Sequence, residues 1–253
     1  MTNESFADRF GEVAQDYLRF RPRYPQALFD WLAAQCARRD LAWDCACGSG
    51  QATVGIAAHF ASVVATDASA RQLAHAPSLA NVDWRVAPPE ASGLAAASVD
   101  LVTVGQALHW LPLPAFHAEV ERVLAPGGCY AVIHYGRMQV EEAAVEQLVQ
   151  HYYDDIVGPY WPPERHTLEA GYRDLPLPYP LLPTPGFAMT ARWQALELLG
   201  YLRSWSATTA FAAARGYDPV NALAPVLARA WPEQSATIGV HWPLAVLLGR
   251  KPA

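Results

Sequence analysis

Apolar residues change their period along this chain. Phe6, Phe10, Val13 and Tyr17 recur at spacings of four, three and four, which is one face of an α-helix. Ser5 with Asp8 three residues later resembles a capping box at its start. Pro22 and Pro25 close that helix. Pro25 then suits the first turn of a second helix, with Leu28, Trp31, Leu32 and Cys36 facing inward. From Leu41 short apolar runs take over. Runs at 41–45, 63–66, 82–86, 99–104 and 129–134 read as strands, with helical stretches at 53–60, 70–75 and 116–124 between them. Strands alternating with helices at this spacing predict an α/β fold with a doubly wound parallel sheet.

Beyond Tyr135 the regularity fades. Residues 141–153 read as a helix. The stretch 158–185 carries eight prolines together with Tyr160, Trp161, Tyr172 and Tyr179, which predicts a long, ordered excursion. Residues 187–193 suit a strand, 195–202, 208–215 and 219–231 suit helices, and 237–248 is strand-like and is expected to rejoin the sheet. Four regions follow: an N-terminal helical lid (1–40), a core (41–135), a cap or substrate region (136–235) and a final strand (236–253).

Composition narrows the function. The chain has 253 residues, 52% hydrophobic and 17% charged, too apolar for disorder and long enough to bury a large core. Its net charge is −6, so no basic excess exists to bind a phosphate backbone, and no nucleic-acid partner is expected. Met1–Asp8 carries no apolar run, so no signal peptide is expected. The longest uncharged stretch, Cys45–Thr66, is broken by Gly48-Ser49-Gly50-Gln51 and His59, so no membrane span is expected. Cys36, Cys45, Cys47 and Cys129 lack zinc-ligand spacing and suit reduced thiols in the cytoplasm; no metal is expected. Oligomeric state has no signature in the sequence.

The strongest chemical signal is Asp44-Cys45-Ala46-Cys47-Gly48-Ser49-Gly50-Gln51, where the first strand turns into a helix. Glycines permit the turn and let a ligand approach the backbone, and the following helix offers N–H groups. Asp67 ends the next strand, where an acid reaches the hydroxyls of a ribose. A dinucleotide site wants G-x-G-x-x-G, but the matching positions here are Ala46, Gly48 and Gln51. The carboxylate of Asp44 would also repel a pyrophosphate, and it suits a cationic sulfonium. The pattern therefore fits S-adenosylmethionine better than NAD. Ala46 in the place of the first glycine predicts a negative φ there.

These residues, with Ser98-Val99-Asp100-Leu101-Val102, Gln106-Ala107-Leu108-His109-Trp110 and Glu119–Gly128, resemble the class I S-adenosylmethionine-dependent methyltransferases of the type 11 group, similar to trans-aconitate methyltransferase-like proteins. Arg21-Pro22-Arg23-Tyr24-Pro25, Trp161–Arg165 and Tyr201–Ser206 also look like this group. The resemblance implies a Rossmann-like, mostly parallel seven-stranded sheet with helices on both faces. It implies that Asp44, Cys45, the Ala46–Gly50 backbone and Gln51 hold the methionine part of the cofactor. Asp67 would hold the ribose, with Ala68 beside the adenine, and Gln106 and Ala107 would line the methyl-donor pocket. Ala87-Pro88-Pro89-Glu90 stands where the group often has Gly-Asp-Ala-Glu, which leaves Glu90, the Ala91 backbone or stacking to hold adenine.

The acceptor side is expected to be small and partly apolar. His109 is the candidate general base for a hydroxyl acceptor, Tyr17 the candidate lid residue on the cofactor side, and Arg21, Arg23 or Arg165 the candidate partners of an acidic group. A carboxylate acceptor would need only such a cation. Trp110, Trp161 and Trp205, with Tyr201, are candidate aromatic walls. Three other readings stay open: a nicotinamide-dependent oxidoreductase, a nucleic-acid methyltransferase, and a non-catalytic module that binds S-adenosylmethionine or S-adenosylhomocysteine.

Overall fold

A computed structural model describes residues 22–233 and 236–253. Its order is α1 (Gln26–Gln35), β1 (Leu41–Cys45), α2 (Gln51–Ala57), β2 (Ser62–Asp67), α3 (Ala70–Leu73), β3 (Val82–Val86), β4 (Val99–Gly105), α4 (Leu113–Val123) and β5 (Leu124–Tyr135). There follow β6 (Gln139–Val140), α5 (Ala143–His151), α6 (Arg165–Glu169), β7 (Leu181–Leu182) and β8 (Phe187–Trp193). The chain ends with α7 (Ala195–Arg203), α8 (Ser206–Arg215), α9 (Val220–Ala230) and β9 (Ile238–Arg250). The strands run β3-β2-β1-β4-β5-β9-β6, with β7 and β8 also paired to β9. The described residues thus hold nine strands rather than the expected seven. The excess lies in β6 and β7, two-residue strands too short to leave a periodic signature.

The chain divides into two compact units. The larger comprises Arg23–Gly136, His166–Phe187 and Pro243–Ala253. In it β1 pairs in parallel with β2 and β4, β2 with β3, and β4 with β5, while β5 meets β9 antiparallel. β1 and β4 are apolar almost without interruption because both faces of a central parallel strand are covered. The core gathers Trp43, Phe116 and Tyr130 in edge-on contacts at 5.9 and 6.0 Å. The chain leaves β1 toward β2 on one side and later enters β4 on the other. This reversal opens a crevice outside the carboxyl ends of β1 and β4, the usual ligand position of an open α/β sheet.

The smaller unit includes Arg137–Arg165 and Ala188–Trp242. Here α5 passes into a π-helical turn at Tyr152–Ile156, which buries Tyr152 and Tyr153. Pro126-Gly127-Gly128 lies within β5, whose pairing with β4 shifts register between Val99 and Leu101. No helix among the described residues is long and apolar enough to cross a membrane.

Gly55 sets the seating of α1 on α2. A Cβ there would lie 2.1 Å from the ring of Phe29, itself buried. Gly55→Ala is expected to destabilise the protein by about 1–3 kcal/mol in urea denaturation. Combined with Phe29→Leu, its cost should fall below the sum of the two single changes. Strict additivity would show that the two residues do not share this contact.

Candidate functional site

β1 delivers Asp44 to the foot of the Ala46–Gly50 turn. The carboxylate is 1% exposed, so its oxygens need donors. Thr53 Oγ1 on α2 donates to one oxygen at 2.6 Å, and Thr103 Oγ1 on β4 donates to the other at 2.8 Å. Burial pushes the Asp44 carboxyl up to about 6; the two hydroxyl bonds pull it back, and nearby Asp67 pushes it further up.

The turn above Asp44 alternates in hand. Ala46, Gly48 and Gly50 have φ of +53°, +57° and +85°. The expectation of a negative φ at Ala46 is therefore overturned. A left-handed alanine costs roughly 1–2 kcal/mol, and neighbouring bonds hold it in place. Cys47 N donates to Thr66 O at 3.0 Å and Gly48 N to Asp67 Oδ2 at 2.8 Å. Gly50 answers a second demand, since a Cβ there would lie 2.3 Å from the Trp84 ring.

Asp67, at the end of β2, also accepts Ser69 N on Oδ1 at 2.8 Å. Burial raises its pKa, and the two amide bonds oppose that shift. Each oxygen keeps a second lone pair for a ligand hydroxyl. Ala68 beside it is exposed, as are Glu90 and Ala91. The Ala91 amide is committed to Pro88 O at 3.2 Å, and Ser92 N and Oγ are both committed to Glu119. Within the 87–92 loop the Ala91 amide thus turns back on the loop, while Ala87 N is bonded to Asp67 O and Ser92 to Glu119 on α4.

At the end of β4, Gln106 is left-handed with φ +56°. Its Nε2 donates to Tyr135 O at 3.2 Å, which fixes the amide orientation and makes Oε1 the acceptor. That Oε1, Ser49 Oγ and Trp84 Nε1 are buried with no hydrogen-bond partner among the described residues. Orphans of this kind, on the turn and strand ends around a buried acid, suit a polar ligand that completes them. Ala107 is partly buried beside Gln106. His109 Nδ1 lies 2.8 Å from Tyr172 Oη, and its ring packs on Trp110 with centroids 4.5 Å apart. Cys45 is buried, while Cys47 and Gln51 are partly buried in the turn. Arg23 is exposed; Tyr17 and Arg21 lie outside the described residues.

In the smaller unit, Trp161, Arg165 and Trp205 come together around Tyr153. Ring centroids of Tyr153, Trp161 and Trp205 are mutually 4.8–5.6 Å apart. The Arg165 guanidinium lies 4.6 Å from the Trp161 centroid and its Nε donates to Tyr153 Oη at 3.0 Å. The Arg137 guanidinium covers the other partner, 4.1 Å from the Tyr153 centroid. Tyr153, Arg137, Tyr172, Thr53, Thr103 and Trp84 were beyond reach of sequence reasoning. Only Thr53 and Thr103 left a trace, as single polar residues inside apolar runs.

A family model for a methyltransferase domain matches residues 43–132. A Dictyostelium discoideum protein named for methyltransferase activity is 33% identical over 256 residues, covering 99% of this chain and 97% of that protein. A solved structure from Anaeromyxobacter dehalogenans, named a type II methyltransferase, is 42% identical with a TM-score of 0.86 and covers 92% of this chain and 100% of its own. A Bacillus halodurans structure at 16% identity and TM-score 0.50 covers 90% of this chain and shares the fold.

The raised pKa of Asp44 has a signed consequence for stability. Between the ordinary value of 3.8 and about 6, the folded protein keeps a proton that the unfolded chain has lost. Stability therefore falls as pH rises through that window, and the full cost is present above it. Asp44→Asn lacks this cost and keeps hydrogen-bond partners for both threonines. It should exceed the wild type by on the order of 1–3 kcal/mol near pH 8, with the gap closing toward pH 4. Urea denaturation across this range checks the claim, and a gap independent of pH contradicts it.

Proposed function

This chain belongs to the class I S-adenosylmethionine-dependent methyltransferases, and on that premise we propose that it methylates a small, partly apolar acceptor at a carboxylate or hydroxyl oxygen. The observation that carries the cofactor assignment to individual residues is the pair of acids, buried Asp44 and half-buried Asp67, flanking a turn with left-handed residues. When bound, S-adenosylmethionine supplies a methyl group activated by positive sulfur. Asp44, buried to 1% exposure beneath the turn and bonded to Thr53 and Thr103, would contribute a negative field rather than a contact. The turn from Cys45 to Gln51 would cradle the methionine part, and Ser49 Oγ and Gln106 Oε1 are groups it could satisfy. Asp67 would take the ribose, with Ala68, Glu90 and Ala91 near the adenine and Ala107 lining the donor pocket.

The acceptor assignment rests on side-chain chemistry. His109 would accept the proton of a hydroxyl acceptor, its Nδ1 being anchored by Tyr172. Trp161, Arg165 and Trp205 form an aromatic–arginine cluster whose chemistry suits an apolar body bearing an anionic group. Trp110 and Arg23 are further acceptor-side candidates in the larger unit, and Tyr17 and Arg21 are candidates from the sequence alone. Positioning of nucleophile and methyl is worth roughly 7–11 kcal/mol of barrier, so the protein's main task is alignment and exclusion of water. A net charge of −6 supports a small-molecule acceptor over a nucleic acid, and four unpaired thiols support a cytoplasmic setting.

Two measurements test this reading. Calorimetry should show S-adenosylhomocysteine binding to the wild type, weakened about 10- to 100-fold by Asp67→Ala through loss of charge-assisted bonds to the ribose. Incubation with methyl-labelled S-adenosylmethionine and a small-metabolite extract should yield labelled esters or ethers. Label found solely in DNA or protein would overturn the acceptor assignment.

A further inference from the structure

Two thiols away from the cofactor turn meet at the end of α1. Cys36, its C-terminal cap residue, donates through Sγ to Leu32 O at 3.5 Å. Cys129, near the middle of β5, donates through Sγ to Gln35 O at 3.5 Å. Both sulfurs therefore converge on the last turn of one helix from elements 93 residues apart in sequence, and each thiol shifts the pKa of the other. A cation shares the spot: Arg250 Nη2 donates to the same Gln35 O at 2.9 Å. Cys129 is fully buried, whereas Cys36 is 7% exposed and is followed in the chain by the exposed segment 37–40.

We propose that Cys36 and Cys129 form a redox-active dithiol that hydroperoxides convert to a disulfide joining α1 to β5. The Cys36 thiol and the Arg250 guanidinium lower the Cys129 pKa against the opposing effect of burial, while that of Cys36 is raised, so Cys129 is the thiol of the pair that gives up its proton more readily. The Cys129 sulfur attacks one peroxide oxygen and the O–O bond breaks. The departing alkoxide or hydroxide takes the Cys129 proton, and Cys129 becomes a sulfenic acid. The Cys36 sulfur then attacks the Cys129 sulfur, the S–O bond breaks, and water leaves with the Cys36 proton. Two thiols lose two electrons and two protons, and the peroxide is reduced to water and an alcohol, or to two waters. Cys45 and Cys47 do not compete. Their thiols are pushed up by burial and by the charge of Asp44, which holds both as unreactive thiols.

This site is independent of the methyl-transfer reading, and so is its test. The full chain is treated with about one equivalent of hydrogen peroxide, unfolded, alkylated and mapped by mass spectrometry. The expected result is a mass loss of about 2 Da before alkylation, a cross-linked 36–129 peptide pair, and alkylation of Cys45 and Cys47 alone. The oxidised form should also melt at higher temperature and return to the starting value with reductant. In Cys36→Ser the reaction should stop at the Cys129 sulfenic acid, trapped by dimedone. Four alkylated cysteines after treatment, a Cys45–Cys47 bond, or sulfinic acid at Cys129 of the wild type would each overturn the proposal.

Discussion

A carboxylate buried to 1% exposure is an expensive thing to fold around, and Asp44 is kept by the hydroxyls of Thr53 and Thr103. Those two bonds join three elements at one point: the end of β1, the first turns of α2 and the interior of β4. The join lies beneath the left-handed turn and beside the reversal of strand order. It couples the geometry of the proposed cofactor turn to the middle of the sheet. Its cost is electrostatic, and in the proposed function the same electrostatics would favour a positively charged ligand over a diphosphate.

Strain gathers at the same edge. Ala46 and Gln106, both non-glycine and both left-handed, close β1 and β4. Each is anchored by a backbone bond: Ala46 through the next residue, Cys47 N to Thr66 O, and Gln106 through its own N to Ile133 O. Tyr172, left-handed at φ +57°, reaches His109 from the same unit. Unfavourable backbone that persists only because its surroundings over-determine it is a common property of ligand-binding edges. Here it coincides with the buried orphans Ser49 Oγ and Gln106 Oε1.

The five parallel strands were legible in the sequence because central strands covered on both faces are written as apolar runs, and β1, β2 and β4 fit that description closely. Asp44 and Asp67 stood out because each interrupts or ends such a run. Less was legible where pairing partners are remote. β6 and β7 span two residues each and exist only because β9 offers them an edge. The proline-rich stretch held no period, yet Tyr172 and Tyr179 from it are buried in the main core cluster. Ala46 was misread because glycine's freedom was treated as a requirement, whereas local hydrogen bonds can hold an alanine in the same conformation at modest cost. Neither Arg137 nor Tyr153 carried a signal, since a guanidinium stacked on a ring leaves no spacing rule in the chain.

In the proposed function Asp44 acts by charge on the sulfonium. S-adenosylmethionine and S-adenosylhomocysteine share adenine, ribose, ammonium and carboxylate and differ by the methyl group and the positive charge on sulfur. Calorimetric titration of both ligands into wild type and Asp44→Asn near pH 8 isolates that charge. The account predicts that the substitution weakens S-adenosylmethionine more than S-adenosylhomocysteine, by roughly 1–2 kcal/mol or about tenfold. Equal weakening of the two ligands, or none, would contradict it.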